Sequence, residues 1–244
     1  MGISAVIISG KGGVGKSTIT VGLGRTLAEK GRRVLLVDCD AGLRSLDRMT
    51  GVEQELVFDV SDVVQGRCAP VDAIYPCAEA ERLYMLPAPA SPEDAVKPAV
   101  MKRFVPLLKK YYDYVLLDAP AGVDRAVTAA ACAADRALIV CSPDPVCVRG
   151  SVAVREMLDE LGVREKGLII NRFNGEFFDT VSAYADLDAV IDDTGIRLLG
   201  VVPEDYSLAA AYLKGKAAPG TLRGMMAIGR ITARFEGEMI PIVL

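Results

Sequence analysis

The chain contains no histidine. Catalysis by a histidine base or nucleophile is therefore excluded. Its six cysteines, Cys39, Cys68, Cys77, Cys132, Cys141 and Cys147, form no Cys-x-x-Cys pair. That argues against a zinc site and against an iron–sulfur scaffold within one chain. Most of these thiols lie in apolar surroundings and read as small core residues. No apolar run approaches the ~18 residues of a membrane span. The N-terminus enters a strand-like run almost at once and does not read as a signal peptide. Val6 stands where a myristoylation signal needs Ser or Thr. There is no linker rich in Pro, Gly or Ser, no repeat and no block of one charge. Positive charge is in slight deficit, with 28 basic against 32 acidic residues and a net charge of −4. No broad nucleic-acid-binding face is expected, and a local basic patch remains compatible with that balance.

What is present is a glycine-rich loop, Gly10-Lys11-Gly12-Gly13-Val14-Gly15-Lys16-Ser17-Thr18. It fits the phosphate-binding pattern G-x-x-x-x-G-K-[ST] from Gly10 to Ser17. The short β-branched run Ala5-Val6-Ile7-Ile8 before it reads as a buried strand. After it, Ile19, Leu23 and Leu27 recur at helical spacing and stop near Gly31. Strand, loop and helix together aim backbone N–H groups and the positive end of a helix dipole into one concavity. Lys16 is placed to reach the β- and γ-phosphates, and the Ser17 hydroxyl to bind Mg²⁺. Lys11 is a second lysine in a loop that already has one. It is better placed to point away from its own site, across an interface.

Strand and helix patterns alternate along all 244 residues. Strands are expected at Arg33–Val37, Leu83–Pro87, Tyr114–Asp118, Ala137–Cys141, Gly167–Asn171 and Leu198–Val202. Helical periodicity covers Val96–Lys110, Asp124–Ala134, Val146–Leu161 and Leu222–Phe235, with a short helix near Phe58–Val64. The pattern predicts a single α/β domain, a mostly parallel twisted sheet with helices on both faces. Its 51% hydrophobic content is ample for the core. Ligands of such sheets sit beyond the carboxyl ends of the strands. The glycine loop, Asp38, Asp118, Asn171 and Pro203 all fall at such ends and should cluster on one edge.

Asp118 ends an apolar strand and opens Asp118-Ala119-Pro120-Ala121-Gly122. A carboxylate there can hold Mg²⁺ opposite the phosphate loop. The Pro-Ala-Gly that follows is expected to turn and offer an N–H to the γ-phosphate. Asp38-Cys39-Asp40 ends the strand before it. Two carboxylates one residue apart point to opposite sides of an extended chain. Asp38 can then face the metal while Asp40 orients the attacking water, which suffices for phosphoryl transfer.

These residues resemble the ParA/MinD class of P-loop ATPases. The stretch Lys11–Thr18 is similar to its deviant Walker A loop. Asp38-Cys39-Asp40-Ala41-Gly42-Leu43-Arg44-Ser45-Leu46-Asp47 is similar to the MinD form of the first switch segment, and Asp118–Gly122 to the second. Gly200-Val201-Val202-Pro203-Glu204-Asp205 resembles a MinD segment near the base, and the likeness extends to about residue 215. The resemblance implies an ATP- and Mg²⁺-dependent ATPase that dimerises face to face, with Lys11 of each copy reaching its partner's phosphates. It implies adenine contacts at Asn171 and Pro203, and at Asp205. The guanine-reading N-K-x-D is absent at Asn171-Arg172-Phe173-Asn174. It further implies a division inhibitor of the MinC kind and an activator of the MinE kind, docking near Arg149 and Ser151 after Pro143-Asp144-Pro145. An ATPase with unpaired thiols is expected in the cytoplasm, peripherally on the inner face of the cell membrane if the class is followed. The class usually ends in a basic amphipathic helix on anionic membrane. Here the helix at Leu222–Phe235 reads as packing on the sheet. The tail Glu236–Leu244 has two acids, no base and a proline, which departs from that pattern. Three other readings are weaker. A DNA-partition ATPase needs a basic face, an iron–sulfur scaffold needs paired cysteines, and a small-molecule kinase or ligase needs a further catalytic constellation.

Overall fold

The continuous apolar runs become strands buried on both faces. The computed structural model describes residues 1–77 and 80–243, and Leu244, the end of the tail, lies outside them. The strands are β1 (Ile3–Ser9), β2 (Val34–Asp38), β3 (Tyr75–Pro76), β4 (Leu83–Leu86), β5 (Tyr114–Ala121), β6 (Arg136–Cys141), β7 (Glu165–Phe173) and β8 (Leu198–Pro203). Among the described residues these eight form one sheet in the order β3-β4-β2-β5-β1-β6-β7-β8. All neighbours pair in parallel except β3 and β4. Parallel pairing brings the carboxyl ends to one edge. There β1 lies between β5 and β6, which places the loop after β1 at the centre of that edge.

The helices are α1 (Lys16–Glu29), α2 (Ser45–Thr50), α3 (Val60–Val64), α4 (Pro98–Leu108), α5 (Arg125–Ala131), α6 (Pro145–Glu160), α7 (Gly175–Val181), α8 (Leu187–Thr194), α9 (Tyr206–Leu213) and α10 (Arg223–Phe235). α1 packs on β1, β2 and β5 and against α10, while α4 with α5 and α6 with α8 cover the other face. Ile19, Leu23 and Leu27 of α1 are fully buried. Each contributes roughly 1.5–3 kcal/mol of apolar burial. That firmly seats the helix whose first turn follows the glycine loop.

α10 lies on β8 and α1, with Met225, Ile228, Ile231 and Phe235 buried. The sequence expectation that this helix packs on the sheet agrees with that arrangement. Beyond it, both acids of the tail are held. Glu236 accepts from Lys30 and Arg32, each at 2.9 Å, and Glu238 accepts from Lys30 at 2.9 Å.

One expected turn is displaced. β5 does not stop at Asp118 but runs to Ala121, because Ala121 pairs with Ser9 at the end of β1. The chain turns only at Gly122, whose φ of 103° suits glycine. Its N–H already donates to the Ser9 carbonyl at 2.9 Å. The expectation that Pro120-Ala121-Gly122 turns an N–H towards a phosphate is corrected accordingly.

Candidate active site

Residues 10–15 bridge β1 and α1. At Gly10 an added Cβ would fall 2.3 Å from the Gly150 backbone, so the loop is braced directly on α6. Gly15 is the N-cap of α1, with φ 92°, and no side chain caps the helix. No acidic residue stands in its first turn. The N-terminal N–H groups of α1 thus face the loop without a built-in anion, which is what a phosphate needs. Gly12 and Gly13 complete the curve, Val14 is buried beneath it, and Ser17 and Thr18 sit half-buried in the first helical turn. The loop is locked from the far side by Asn171 of β7. Its buried amide donates to the Val14 carbonyl at 2.7 Å.

Lys16 follows the cap. Burial pushes its ammonium below the ordinary lysine range, and Asp118 and then Asp40 pull it back. Asp118 and Asp38 are register partners on β5 and β2, and both are essentially inaccessible. Asp118 accepts from Ser17 Oγ at 2.6 Å and from Thr20 Oγ1 at 2.9 Å. Ser17 Oγ also lies 2.9 Å from Ser45 Oγ, at the start of α2. Asp38 accepts from the backbone N–H groups of Asp40 at 2.9 Å and Leu46 at 3.2 Å. Burial and then the Asp118 charge push the Asp38 carboxyl up to about 8. Burial raises Asp118 to about 6, against the bonds from Ser17 and Thr20. Two adjacent carboxylates that resist ionisation are a site short of positive charge.

The donors present suit Mg²⁺. They are hard oxygens: the Asp118 carboxylate and the Ser17 hydroxyl it now holds. Among the described residues no group of three or more His, Cys, Asp or Glu could hold a metal. Mg²⁺ fits this set, because it takes one or two carboxylates and completes its shell with water and phosphate oxygens. Both oxygens of each carboxylate already accept, but those of Asp38 take fixed backbone N–H groups, whereas Asp118 takes hydroxyls that can turn to share a cation with it. Asp40 is half-buried beside Lys16. Burial raises its carboxyl, with Lys16 opposing. The loop, Lys16, Ser17, Asp38, Asp40 and Asp118 are thus together.

Lys11 is not over its own loop. Its ammonium lies 3.3 Å from each carboxylate oxygen of Asp144, and the two side chains are 44% and 35% exposed. Asp144 caps α6 by accepting from the Cys147 N–H at 3.0 Å, and also accepts from Ser142 Oγ at 2.6 Å. Ser142 and Asp144 line a cavity of about 320 Å³ with Arg172, Phe178 and Glu204. Asn171 and Pro203 sit at neighbouring strand ends beside it, Pro203 pairing with Phe173.

Two of the expected contact residues serve the fold itself, and for Ser151 the expectation is corrected. Asp205 is the N-cap of α9. Its carboxylate takes the N–H groups of Ser207, Leu208 and Gly224, each at 3.0 Å, and so clips α9 to α10. Ser151 is fully buried and donates to the Cys147 carbonyl at 3.0 Å, so it presents nothing to a partner. Arg149 on the same helix is exposed. Sequence reasoning also missed Thr20, Ser45 and Asp144. Thr20 lies three residues after Ser17 on one helix face, a spacing that could have shown it.

Residues 5–218 match the family described as the CobQ/CobB/MinD/ParA nucleotide binding domain. The chain is 36% identical to the septum site-determining protein MinD of Bacillus subtilis (strain 168), over 99% of this chain and 92% of that protein. It is similar to the structure of a MinC:MinD cell division protein complex from Aquifex aeolicus, with a TM-score of 0.91 and 32% identity, covering 99% of each chain. It is also similar to MinD of Pyrococcus horikoshii OT3 complexed with Mg-ADP, with a TM-score of 0.87 and 30% identity over 97% of this chain and 96% of that one.

Proposed function

The chain belongs to the MinD family of septum site-determining ATPases, and from that premise we propose that it is a switch in which ATP joins two copies through Lys11. It binds ATP and ADP with Mg²⁺ and hydrolyses ATP. The open N-terminus of α1 and the loop N–H groups hold the phosphates, and Lys16 reaches their outer oxygens. Asp118 and Ser17 hold the cation, which neutralises charge developing on those oxygens. Asp40 orients the water that attacks. Asn171 keeps the loop in shape from behind and, with Pro203, borders the base.

The observation that carries the dimer reading is the position of Lys11. It stands outside its own phosphate loop, half-exposed, on a partly solvated carboxylate. From there the ammonium is free to cross to a second copy, where it would stabilise transferring charge as an arginine finger does. Sizing with ATP, with ADP and with a Lys11→Ala variant tests it. A dimer formed only with ATP, and lost in the variant, is the expected result. A dimer retained by the variant would defeat the reading.

The dimer recruits a division inhibitor of the MinC kind and is reset by an activator of the MinE kind, with exposed Arg149 of α6 as part of their docking surface. It works in the cytoplasm, gathering on the inner face of the membrane. Among the described residues no helix is long and apolar enough to cross a membrane. Residues 236–244 carry no lysine or arginine.

A further inference from the structure

Parallel strands also begin together, on the edge opposite the nucleotide loop. Beside β2, β4 and β5 that edge holds two clefts that meet at Tyr111 and Tyr112, residues lining both. The first, of about 480 Å³, runs between the end of α4 and the segment leading into β3. Apart from Arg33, its lining residues are apolar or aromatic. Among them Val71 and Tyr111 are largely exposed and Leu107 about half. A single exposed apolar side chain is ordinary, but three on one concave surface mark a place of contact. The second cleft, of about 630 Å³, is polar. Arg32, Lys109 and Lys110 line it, against one carboxylate, Asp113.

The charges here are only partly answered. Arg33 directly precedes β2, and its guanidinium lies 5.1 Å from the ring centroid of Tyr112 and 5.3 Å from that of Tyr84. Those two rings meet edge to face at 5.6 Å. The tyrosines hold the cation by attraction to their faces. No carboxylate pairs with it among the described residues, and Asp113 takes the Arg33 backbone N–H instead, at 2.7 Å. In the polar cleft Arg32 pairs with Glu236 and Lys109 with Asp135. Lys110 is exposed and has no ion-pair partner among the described residues. An apolar cleft is thus followed by two cations that lack a counter-charge.

What fits must offer apolar side chains with an acid beside them. The two clefts together exceed the roughly 300–1,000 Å³ of a small-molecule pocket, so a chain segment suits them better than one solute. Addition of a strand is disfavoured. β3 is the outermost strand and only two residues long, and Pro76 has no N–H to give a neighbour. We propose that this edge docks an amphipathic helix of a partner protein. Its apolar face lies in the cleft beside α4, and an acidic residue meets Arg33, with Lys110 beyond it. The surface is remote from the glycine loop, from Lys11 and from Arg149. Docking there needs neither nucleotide nor a dimer, and the proposal stands apart from the dimer reading.

The test selects binders from a displayed library of helix-forming peptides on the immobilised full chain. Each selected peptide is then measured by fluorescence anisotropy against wild type, Leu107→Asp and Arg33→Met. Both side chains reach solvent and are remote from the nucleotide loop, so the variants should fold and turn over ATP as wild type does. Peptides with apolar residues at helical spacing and an acid beside them should bind wild type equally with ATP, with ADP and with neither. Leu107→Asp should weaken them roughly tenfold or more, as loss of an apolar anchor does. Arg33→Met keeps a side chain that packs on the rings and should weaken them about two- to fivefold. Peptides whose acid is changed to its amide should not feel the Arg33 change. Selected peptides that lack acids, or that bind both variants as tightly as wild type, would overturn the proposal. Self-association of wild type without nucleotide, abolished by Leu107→Asp, would assign the groove to a second copy and overturn it too.

Discussion

Replacing Asp144 by Asn removes the charge that holds Lys11 and keeps the cap of α6. Asn is as good an N-cap as Asp, and its oxygen still accepts from the Cys147 N–H. The ion pair is long, at 3.3 Å to each oxygen, and more than a third of each side chain is exposed. Pairs of that kind are worth about 0.2–1 kcal/mol. If Lys11 must leave Asp144 to reach a partner, each dimer breaks two such pairs. The variant then gains about 0.4–2 kcal/mol on dimerisation, or about 2-fold to 30-fold in the dissociation constant. Analytical ultracentrifugation with a non-hydrolysable ATP analogue reads this directly. The gain should shrink as salt rises, because exposed charges are screened. In a Lys11→Ala background the Asp144→Asn change should have no effect, which isolates the pair from any other role of the cap. An Asp144→Asn protein that dimerises as weakly as wild type, or gains equally without Lys11, would show that the pair does not restrain the lysine.

Other residues give sharper or simpler readouts. Asp40→Ala should cut ATP turnover by about a hundredfold or more while nucleotide affinity stays within a few-fold; unchanged turnover would remove Asp40 from the mechanism. Thr20→Val leaves one oxygen of the buried Asp118 without its 2.9 Å donor. It should lower unfolding stability by about 1–3 kcal/mol in urea titrations, and an unshifted midpoint would contradict this. At Asp135, burial raises the carboxyl, but the bonds from Lys109 and from the Ser4 N–H and hydroxyl outweigh it and hold it below the ordinary range. A group depressed in the fold stabilises above its unfolded pKa and loses that contribution as pH falls through its folded one. Asp135→Asn should therefore be less stable than wild type at pH 7, and the gap in melting temperature should begin to narrow as pH falls past about 4, the unfolded value, and go on narrowing towards the folded one; a gap that does not change with pH would point to packing instead.

Much of the site was legible because its signals are local. A β-branched run, six loop positions and a helical repeat fall within residues 5–27, and the structure joins them as read. Asp118 stood out because a lone acid ends an apolar strand. The misses have definite causes. β5 outran Asp118 because pairing with Ser9, 112 positions away, extends it. α7, α8 and α9 were not expected, being only 7 to 8 residues long. Yet Asn174, Asp186 and Asp205 each precede one of them as a side-chain cap, a signal available from residue type and position. Reading Asp205 by resemblance alone obscured that cap. The burial of Ser151 could have been seen as well. With Cys147, Val154 and Leu158 it forms the inward stripe of α6 at helical spacing. The partner of Lys11 could not, since Asp144 lies 133 residues away.

Charge shows most clearly why summed composition misleads. An excess of four acids argues against an anionic partner only if charges are spread evenly. In this fold they are sorted by strand polarity. The carboxyl edge gathers Asp38, Asp40 and Asp118 against a helix N-terminus. The opposite edge gathers cations, because the segments that open β6, β7 and β8 carry them and parallel pairing sets those openings side by side. The acids that made the tail look repelled by a negative surface are both taken up by Lys30 and Arg32, cations supplied by the end of α1 and the turn after it. The described tail therefore presents paired acids and an apolar stretch, beside a cleft where the guanidinium groups of Arg164 and Arg197 have no partner among the described residues. What an anion meets at either edge depends on which charges converge within about a Debye length of it (~8 Å at physiological salt), and not on the total.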